Sequence, residues 1–233
     1  MADTTDSATL AVDHFDRTAE TYDERIPNGI PGYATMHDVA EMLLAADVGR
    51  SGHVLIVGAG TGYETRRYAH RHGGWRLTAI EPSAEMSAIA LEHAEHVPGR
   101  IAWHTGTLDT LPLGTLHDGA VLLLVLHFLP DDGTKLNLLR DIAQRLKPGA
   151  PLLIADLFDT HADDWKRWAA YLRMNGAPDE AIARGMRLSQ SLLHRITENR
   201  LAVLLHEAGF STPERFYHAL HVGGWVCHRL SSD

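Results

Sequence analysis

Three glycines at alternate positions, Gly58, Gly60 and Gly62, stand between an apolar run, His53 to Val57, and a helical pattern that begins at Thr61. A strand that turns through such glycines into a helix lets its backbone bend sharply and approach a ligand with no Cβ in the way. Glu81 ends the next apolar run. A carboxylate there accepts hydrogen bonds from ribose hydroxyls, so the pair points to a nucleoside-type cofactor. The dinucleotide fingerprint G-x-G-x-x-G would need a third glycine at position 63, which is Tyr63. His127, after the fourth apolar run, is the leading candidate for a general base. The alternative for His127 is a strand-end histidine that bonds its neighbours or meets the cofactor through its backbone. Asp156, ending the fifth run, faces a substrate or serves structure.

The elements that must position these residues alternate regularly. Short β-rich runs at His53 to Val57, Arg76 to Glu81, Ile101 to His104, Ala120 to Leu126 and Pro151 to Asp156 are separated by helical patterns. The helices are Thr61 to Arg71, Ser83 to Glu95 with Val97 on its apolar side, and Gly133 to Leu146. This alternation predicts a parallel α/β sheet with right-handed crossovers, whose ligand lies beyond the carboxyl ends of the strands. Residues 1–50 read as helix, a turn-rich segment Ile26 to Gly32, and a helix from Tyr33 to Ala46 with Met36, Val39, Leu43 and Leu44 inward. Residues 162–209 read as two or three helices broken near Asn175 to Pro178, and Glu214 to Leu230 as an antiparallel pair. The expected organisation is a single domain over 1–233. It comprises an N-terminal helical cap (1–50), a cofactor-binding core (51–160), a helical cap insertion (161–210) and terminal strands (211–233).

Composition narrows the classes. The 233 residues are 45% hydrophobic with a formal net charge of −9, which supports a globular core. The longest apolar stretch, Ala120 to Leu126, is far below the ~18 to 20 residues of a membrane-spanning helix. The polar, acidic N-terminus resembles no signal peptide, and the one cysteine, Cys227, excludes an internal disulfide. A reducing, cytoplasmic setting without membrane association is the expectation. The 30 acids against 21 bases disfavour a nucleic acid partner, although Arg184, Arg187, Arg195 and Arg200 form a local basic stretch. The 16 histidines do not predict a metal site: His93 and His96 stand i, i+3 on a helix without further ligands, His218 and His221 fall on opposite faces of a strand, His70 and His72 sit at a helix end, and no H-E-x-x-H occurs.

The glycine spacing resembles the first motif of class I S-adenosylmethionine-dependent methyltransferases. Ala79 to Ser83 resembles their second motif and Thr105 to Pro112 their third, and the segments His117 to Val121 and Leu146 to Ala150 continue the match. The resemblance implies a doubly wound, Rossmann-like α/β fold with a seven-stranded sheet, a terminal antiparallel hairpin and helical caps at both ends. It implies S-adenosylmethionine as cofactor, with S-adenosylhomocysteine as product. Its binding residues would be Tyr33, Gly58, Ala59, Gly60, Thr61, Gly62, Glu81, Pro82, Met86, Thr107, Leu108 and Leu123. Two positions depart from the family pattern: an acid before the first glycine is replaced by Ile56, and the adenine-contacting acid of the third motif by Thr107.

The flanks resemble, more narrowly, the carboxy-S-adenosylmethionine synthase family of tRNA wobble-uridine modification. Tyr22 to Arg25, Ile30 to Tyr33, the Asn175-Gly176 break and Leu205 to Phe210 carry this likeness. In that family the tyrosine after Pro-Gly, here Tyr33, contacts the cofactor. Its carboxylate-binding arginine falls on Leu204 and a fourth-strand asparagine on Leu123. An apolar residue cannot pair with a carboxylate, unless Arg195 or Arg200 replaces the contact.

These features predict methyl transfer to a small-molecule acceptor, with a synthase-like enzyme or a non-catalytic cofactor-binding protein as alternatives. His127 and Tyr22 are the catalytic candidates, and the aromatic faces of Tyr22 and Tyr33 suit a sulfonium. His37, His218, His221 and Trp225 are candidates to line the acceptor side. Met36, Met42 and Met86 read as core. The caps offer a surface for a homodimer.

Overall fold

The computed structural model describes residues 7–94, 100–159 and 163–231. In chain order the elements are α1 (Ser7–Thr18), α2 (Tyr22–Gly29), α3 (Tyr33–Val48), β1 (Gly52–Val57), α4 (Tyr63–Arg71), β2 (Trp75–Glu81), α5 (Ala84–Ala94), β3 (Ile101–Thr105), β4 (Gly119–Leu123), α6 (Thr134–Arg145), β5 (Pro151–Leu157), α7 (Asp164–Met174), α8 (Asp179–Leu192), α9 (Glu198–Glu207), β6 (Glu214–Ala219) and β7 (Val222–His228). Val97 and His96 lie outside the described residues, as does the expected boundary at 160/161.

The strands form one seven-stranded sheet in the order β3-β2-β1-β4-β5-β7-β6. The first five run parallel, and β7 pairs antiparallel to both β5 and β6. The period-two alternation of each central strand explains its two-faced burial. Leu55, Val57, Leu122, Leu152 and Ile154 enter one core layer with α6 and α9. Val54, Ile56, Val121, Leu153 and Ala155 enter the other with Met36, Ala40 and Leu44 of α3 and Tyr68 of α4. Each fully buried Val, Leu, Ile or Met side chain among them contributes about 1.5–3 kcal/mol. Helices α7 and α8 pack through a separate small cluster, Ala169, Leu172 and Ile182, and so form a cap with its own core.

Three differences from the sequence reading have local causes. The fourth strand ends at Leu123 rather than Leu126, because Leu124 takes φ +60 and the chain turns into a 3₁₀ turn, Leu126–Phe128. The segment read as turn-rich holds α2 as far as Gly29 with Pro27 inside it, and the Asn28 side chain donates to the Glu24 carbonyl at 3.1 Å. Met42, read as core, is 60% exposed. Instead the buried stripe of α3 takes in Glu41, whose carboxylate accepts from Arg67, from Arg71 at 3.1 Å and from His72 at 2.8 Å.

Candidate active site

The strand order reverses between β1 and β4, since the chain runs outward from β1 to β3 and returns to β4. In open α/β sheets a crevice opens at that point, beyond the carboxyl ends of the strands. A cavity of about 150 Å³ lies here, lined by Gly58, Gly60, Glu81, Pro82, Met86, Thr107 and Leu123 together with Ala11, Val12 and Phe15 of α1. Gly58 (φ +73) and Gly60 (φ +54) adopt a left-handed conformation that side chains disfavour. A Cβ on Gly58 would stand 2.3 Å from Val125, whereas one on Gly60 would meet only the Met86 sulfur at 3.8 Å, on the cavity side. The loop is therefore packed behind Gly58 and open at Gly60.

Glu81 closes one side of this cavity. Its carboxylate accepts the backbone N–H of Gly60 and of Ser83, each at 2.9 Å. Burial raises its pKa, and those two N–H groups oppose the shift. Buried carboxylate, backbone notch and the apolar surface of Pro82, Met86 and Leu123 fit the ribose and adenine of S-adenosylmethionine. Ala59, Thr61, Gly62 and Leu108 do not line the cavity but sit beside it. Ala59 and Leu108 are buried, and Thr61 donates its hydroxyl to Asp23 of α2. Tyr33 also lies outside this lining, packed against His37 at 4.3 Å and Tyr63 at 5.4 Å between ring centroids.

A second cavity of about 230 Å³ adjoins the first and shares Phe15, Tyr22, Leu124 and Phe128 with it. The caps build its other walls: Ile26 and Ile30 from the N-terminal segment, Trp168 from α7, and Leu188 and Leu192 from α8. The Trp168 indole N–H donates to the Gly29 carbonyl at 2.7 Å, which fastens the two caps together. His127 is the base candidate facing this cavity. Its Nδ1 meets one oxygen of Asp156, and its backbone N–H donates to the other at 3.1 Å. Both residues are buried, and Nε2 of His127 has no hydrogen-bond partner among the described residues. The joint between the cavities is strained, because Leu124 is a non-glycine residue at φ +60, held by its N–H bond of 2.6 Å to the Ala155 carbonyl. Such a conformation costs on the order of 1–3 kcal/mol and persists where the surroundings enforce it.

Burial also raises the Tyr22 hydroxyl well above the usual tyrosine range, with Glu64 and Glu81 adding to the shift. Tyr22 therefore stays protonated at neutral pH, and it lines both cavities. Glu64, buried near Tyr22 and Tyr33, is pushed up to about 7 by desolvation.

Four candidates for the acceptor side lie elsewhere. His37 packs between Tyr33 and Tyr63. His218, His221 and Trp225 face a different cavity, of about 460 Å³, at the end of β5 beside α7 and the β6–β7 hairpin. The strand alternation that placed these residues near the sheet end does not reveal on which side of α7 they fall. Conversely, the sequence does not mark Phe15, Leu124 and Phe128 as cavity walls, because an aromatic in a terminal helix and the tail of an apolar run carry no such signal. Among the described residues no group of three or more His, Cys, Asp or Glu could hold a metal ion.

The residues considered for a carboxylated cofactor are engaged otherwise. Leu204 is fully buried in α9 within the core layer. Arg200 makes a two-pronged bond to Asp131 at 2.8 and 2.9 Å, and Arg195 pairs with Asp159 at 3.1 Å and lies over the Trp165 ring. None of the three lines either cavity.

Residues 54–149 match the family model of a methyltransferase domain. Carboxy-S-adenosyl-L-methionine synthase of Enterobacter sp. (strain 638) is 25% identical over 228 residues, covering 91% of this chain and 89% of the synthase. Among solved structures, magnesium protoporphyrin IX methyltransferase from Synechocystis PCC 6803 with bound S-adenosylhomocysteine superposes with a TM-score of 0.70 at 18% identity, over 96% of this chain and 100% of that one. The Burkholderia thailandensis 1,6-didemethyltoxoflavin-N1-methyltransferase, with 1,6-didemethyltoxoflavin and S-adenosylhomocysteine bound, gives 0.68 at 21% identity, over 99% and 92%. Residues 54–149 thus match a methyltransferase domain, and the chain as a whole shares the fold of these S-adenosylhomocysteine-bound methyltransferases.

Proposed function

We propose that this methyltransferase transfers the methyl group of S-adenosylmethionine to a small-molecule acceptor held between the two helical caps. The observation that carries the reading is the shared wall of Phe15, Tyr22, Leu124 and Phe128, which sets a cap-enclosed cavity directly beside the glycine-loop cavity. When bound, the cofactor supplies an electrophilic methyl group on a sulfonium. Gly58, Gly60, Glu81, Pro82, Met86, Thr107 and Leu123 hold it. Tyr33, Ala59, Thr61, Gly62 and Leu108 contribute as close neighbours of that loop.

In-line displacement depends mainly on positioning in a dry site, an effect worth up to about 7–11 kcal/mol in intramolecular precedents. The apolar cap residues exclude water, and Tyr22 and Phe128 confine the acceptor where the cavities meet. His127 takes the acceptor's proton on Nε2. Asp156 holds the ring by accepting from Nδ1–H, which sets the tautomer and steadies the imidazolium once it forms.

The cap walls are supplied by one chain, and a homodimer through the outer cap surface is compatible with that; light scattering tests it. No helix among the described residues is long and apolar enough to cross a membrane, and Cys227 is a buried free thiol. The proposed cytoplasmic setting, without a membrane or nucleic acid partner, rests on the single cysteine and on the excess of 30 acids over 21 bases.

Calorimetry with S-adenosylmethionine and S-adenosylhomocysteine, followed by methyl-transfer assays on a small-molecule panel, tests the reading. Absence of cofactor binding would sink it, and binding without transfer to any acceptor would favour the non-catalytic alternative. The synthase alternative predicts a carboxylated cofactor from S-adenosylmethionine and prephenate, detectable by its mass; the burial of Leu204 in the core argues against it.

A further inference from the structure

The composition of the acceptor cavity restricts its occupant. The chain has 30 acidic residues against 21 lysines and arginines, yet no Asp or Glu lines this cavity. Its walls are apolar side chains apart from Tyr22, His127, Ser189, His14 and Arg25. Arg25 is the one permanently charged group among them.

Arg25 is solvent-exposed at the edge of the cavity, and its bonding leaves the guanidinium fork free to pair with a ligand. Its Nε reaches the Thr21 carbonyl at 3.3 Å and one terminal nitrogen the Thr18 carbonyl at 3.5 Å, both long contacts to the junction between α1 and α2. No carboxylate among the described residues pairs with it, and it is the one such arginine on the wall of this cavity. A guanidinium has five donors in a planar fork suited to a carboxylate. His14 stands beside Arg25 on the same wall, and burial together with the charge of Arg25 keeps it neutral, so it adds no competing cation. An acid-free, largely apolar cavity with a solvent-exposed, unpaired arginine at its edge favours an anionic group over a cationic one at that wall.

Resting on the methyl-transfer reading above, we infer that the acceptor is a small, largely apolar molecule with a carboxylate-type anionic group that pairs with Arg25. The group to be methylated then lies toward His127 and Tyr22, where the two cavities meet.

Calorimetry on the full chain loaded with S-adenosylhomocysteine tests this with two isosteric probes, trans-cinnamate and cinnamamide. The expected result is that cinnamate binds about tenfold more tightly, as a charge-assisted pair provides. In Arg25→Gln this preference should vanish while cinnamamide binding is unchanged, and Arg25→Lys should retain part of it. Equal binding of the two probes, binding of neither, or a preference that survives Arg25→Gln overturns the inference. Cofactor binding measured first separates the cases: if S-adenosylhomocysteine does not bind, the methyl-transfer reading itself fails. If it binds and cinnamate shows no preference, only the acceptor class is wrong.

Discussion

Asp156 grips His127 twice, with one carboxylate oxygen on the imidazole Nδ1 and the other on the backbone N–H of the same residue at 3.1 Å. Ring orientation and backbone position are thus set by one buried side chain from the neighbouring strand. If His127 is the base, His127→Ala should lower kcat by about 10²–10⁴-fold, the usual contribution of a positioned acid–base group. Asp156→Asn should lower it as well, because the amide offers a donor where an acceptor is required. Calorimetry should find S-adenosylhomocysteine affinity nearly unchanged in both. An acceptor that reacts in its deprotonated form would bypass the base, and undiminished turnover of His127→Ala across pH 5–9 would remove His127 from the mechanism.

Gly58→Ala tests the cofactor loop. The added Cβ would stand 2.3 Å from Val125 in a backbone conformation at φ +73, so loop and neighbour must both move. Cofactor affinity should fall by about tenfold or more, equivalent to ~1.4 kcal/mol. Glu81→Gln should weaken binding comparably, since its carboxylate also organises the N–H groups of Gly60 and Ser83. Titration with S-adenosylhomocysteine reads both effects.

The N-terminal cap is tied to the cofactor loops by two hydroxyl–carboxylate bonds. Ser83 donates to Asp16 of α1 at 2.5 Å, and Thr61 donates to Asp23 of α2. Each tie is part-buried, so its loss should cost on the order of 1 kcal/mol. Asp16→Ala combined with Asp23→Ala should therefore speed proteolysis within residues 7–29, and S-adenosylhomocysteine should protect less than in the parent protein. Limited proteolysis with mass mapping checks this; an unchanged cleavage pattern would deny the ties a role in holding the cap.

Buried histidines give part of the high histidine count a physical meaning. Desolvation holds His221 at about 4, His53 at about 4 and His37 at about 3, all below the ordinary 6.5. Each is neutral in the native state and gains its proton more readily once unfolded. Between pH 6.5 and 4 the unfolded state binds more protons, so stability contributed above pH 6.5 is lost as the pH falls. His221 sits against Trp165 and Trp168 with no hydrogen bond from either ring nitrogen to a described residue. His221→Phe should change stability at pH 7 by no more than about 1 kcal/mol and should flatten the fall in Tm between pH 6.5 and 4. Calorimetric melting of the two proteins over that range decides it.

Much of this molecule is written in local pattern. Period-two apolar runs and 3.6-residue periodicities are properties of the chain itself, so the central strands, the flanking helices and the glycine loop lie within a residue or two of where the pattern puts them. The cofactor notch is legible for the same reason, since Gly58, Gly60 and Glu81 belong to two consecutive strand ends whose adjacency follows from the parallel sheet. Where apolarity alone was the signal, the reading overran: Leu124 to Leu126 look like strand, but a positive φ at Leu124 takes them out of the sheet.

The acceptor site is a different kind of object. Its walls come from α1, α2, α7 and α8 and from the turn after β4, segments far apart in sequence. No local periodicity encodes which of their faces meet. Only tertiary packing pairs Asp156 with His127, moves His218, His221 and Trp225 to another cavity, buries Leu204 in the core, and leaves Arg25 without an acid at an apolar wall. The chain by itself determined a sheet and a nucleoside notch, because those depend on neighbours in sequence. What the cap cavity accepts was decided in three dimensions, because it depends on charges and surfaces that meet only after folding.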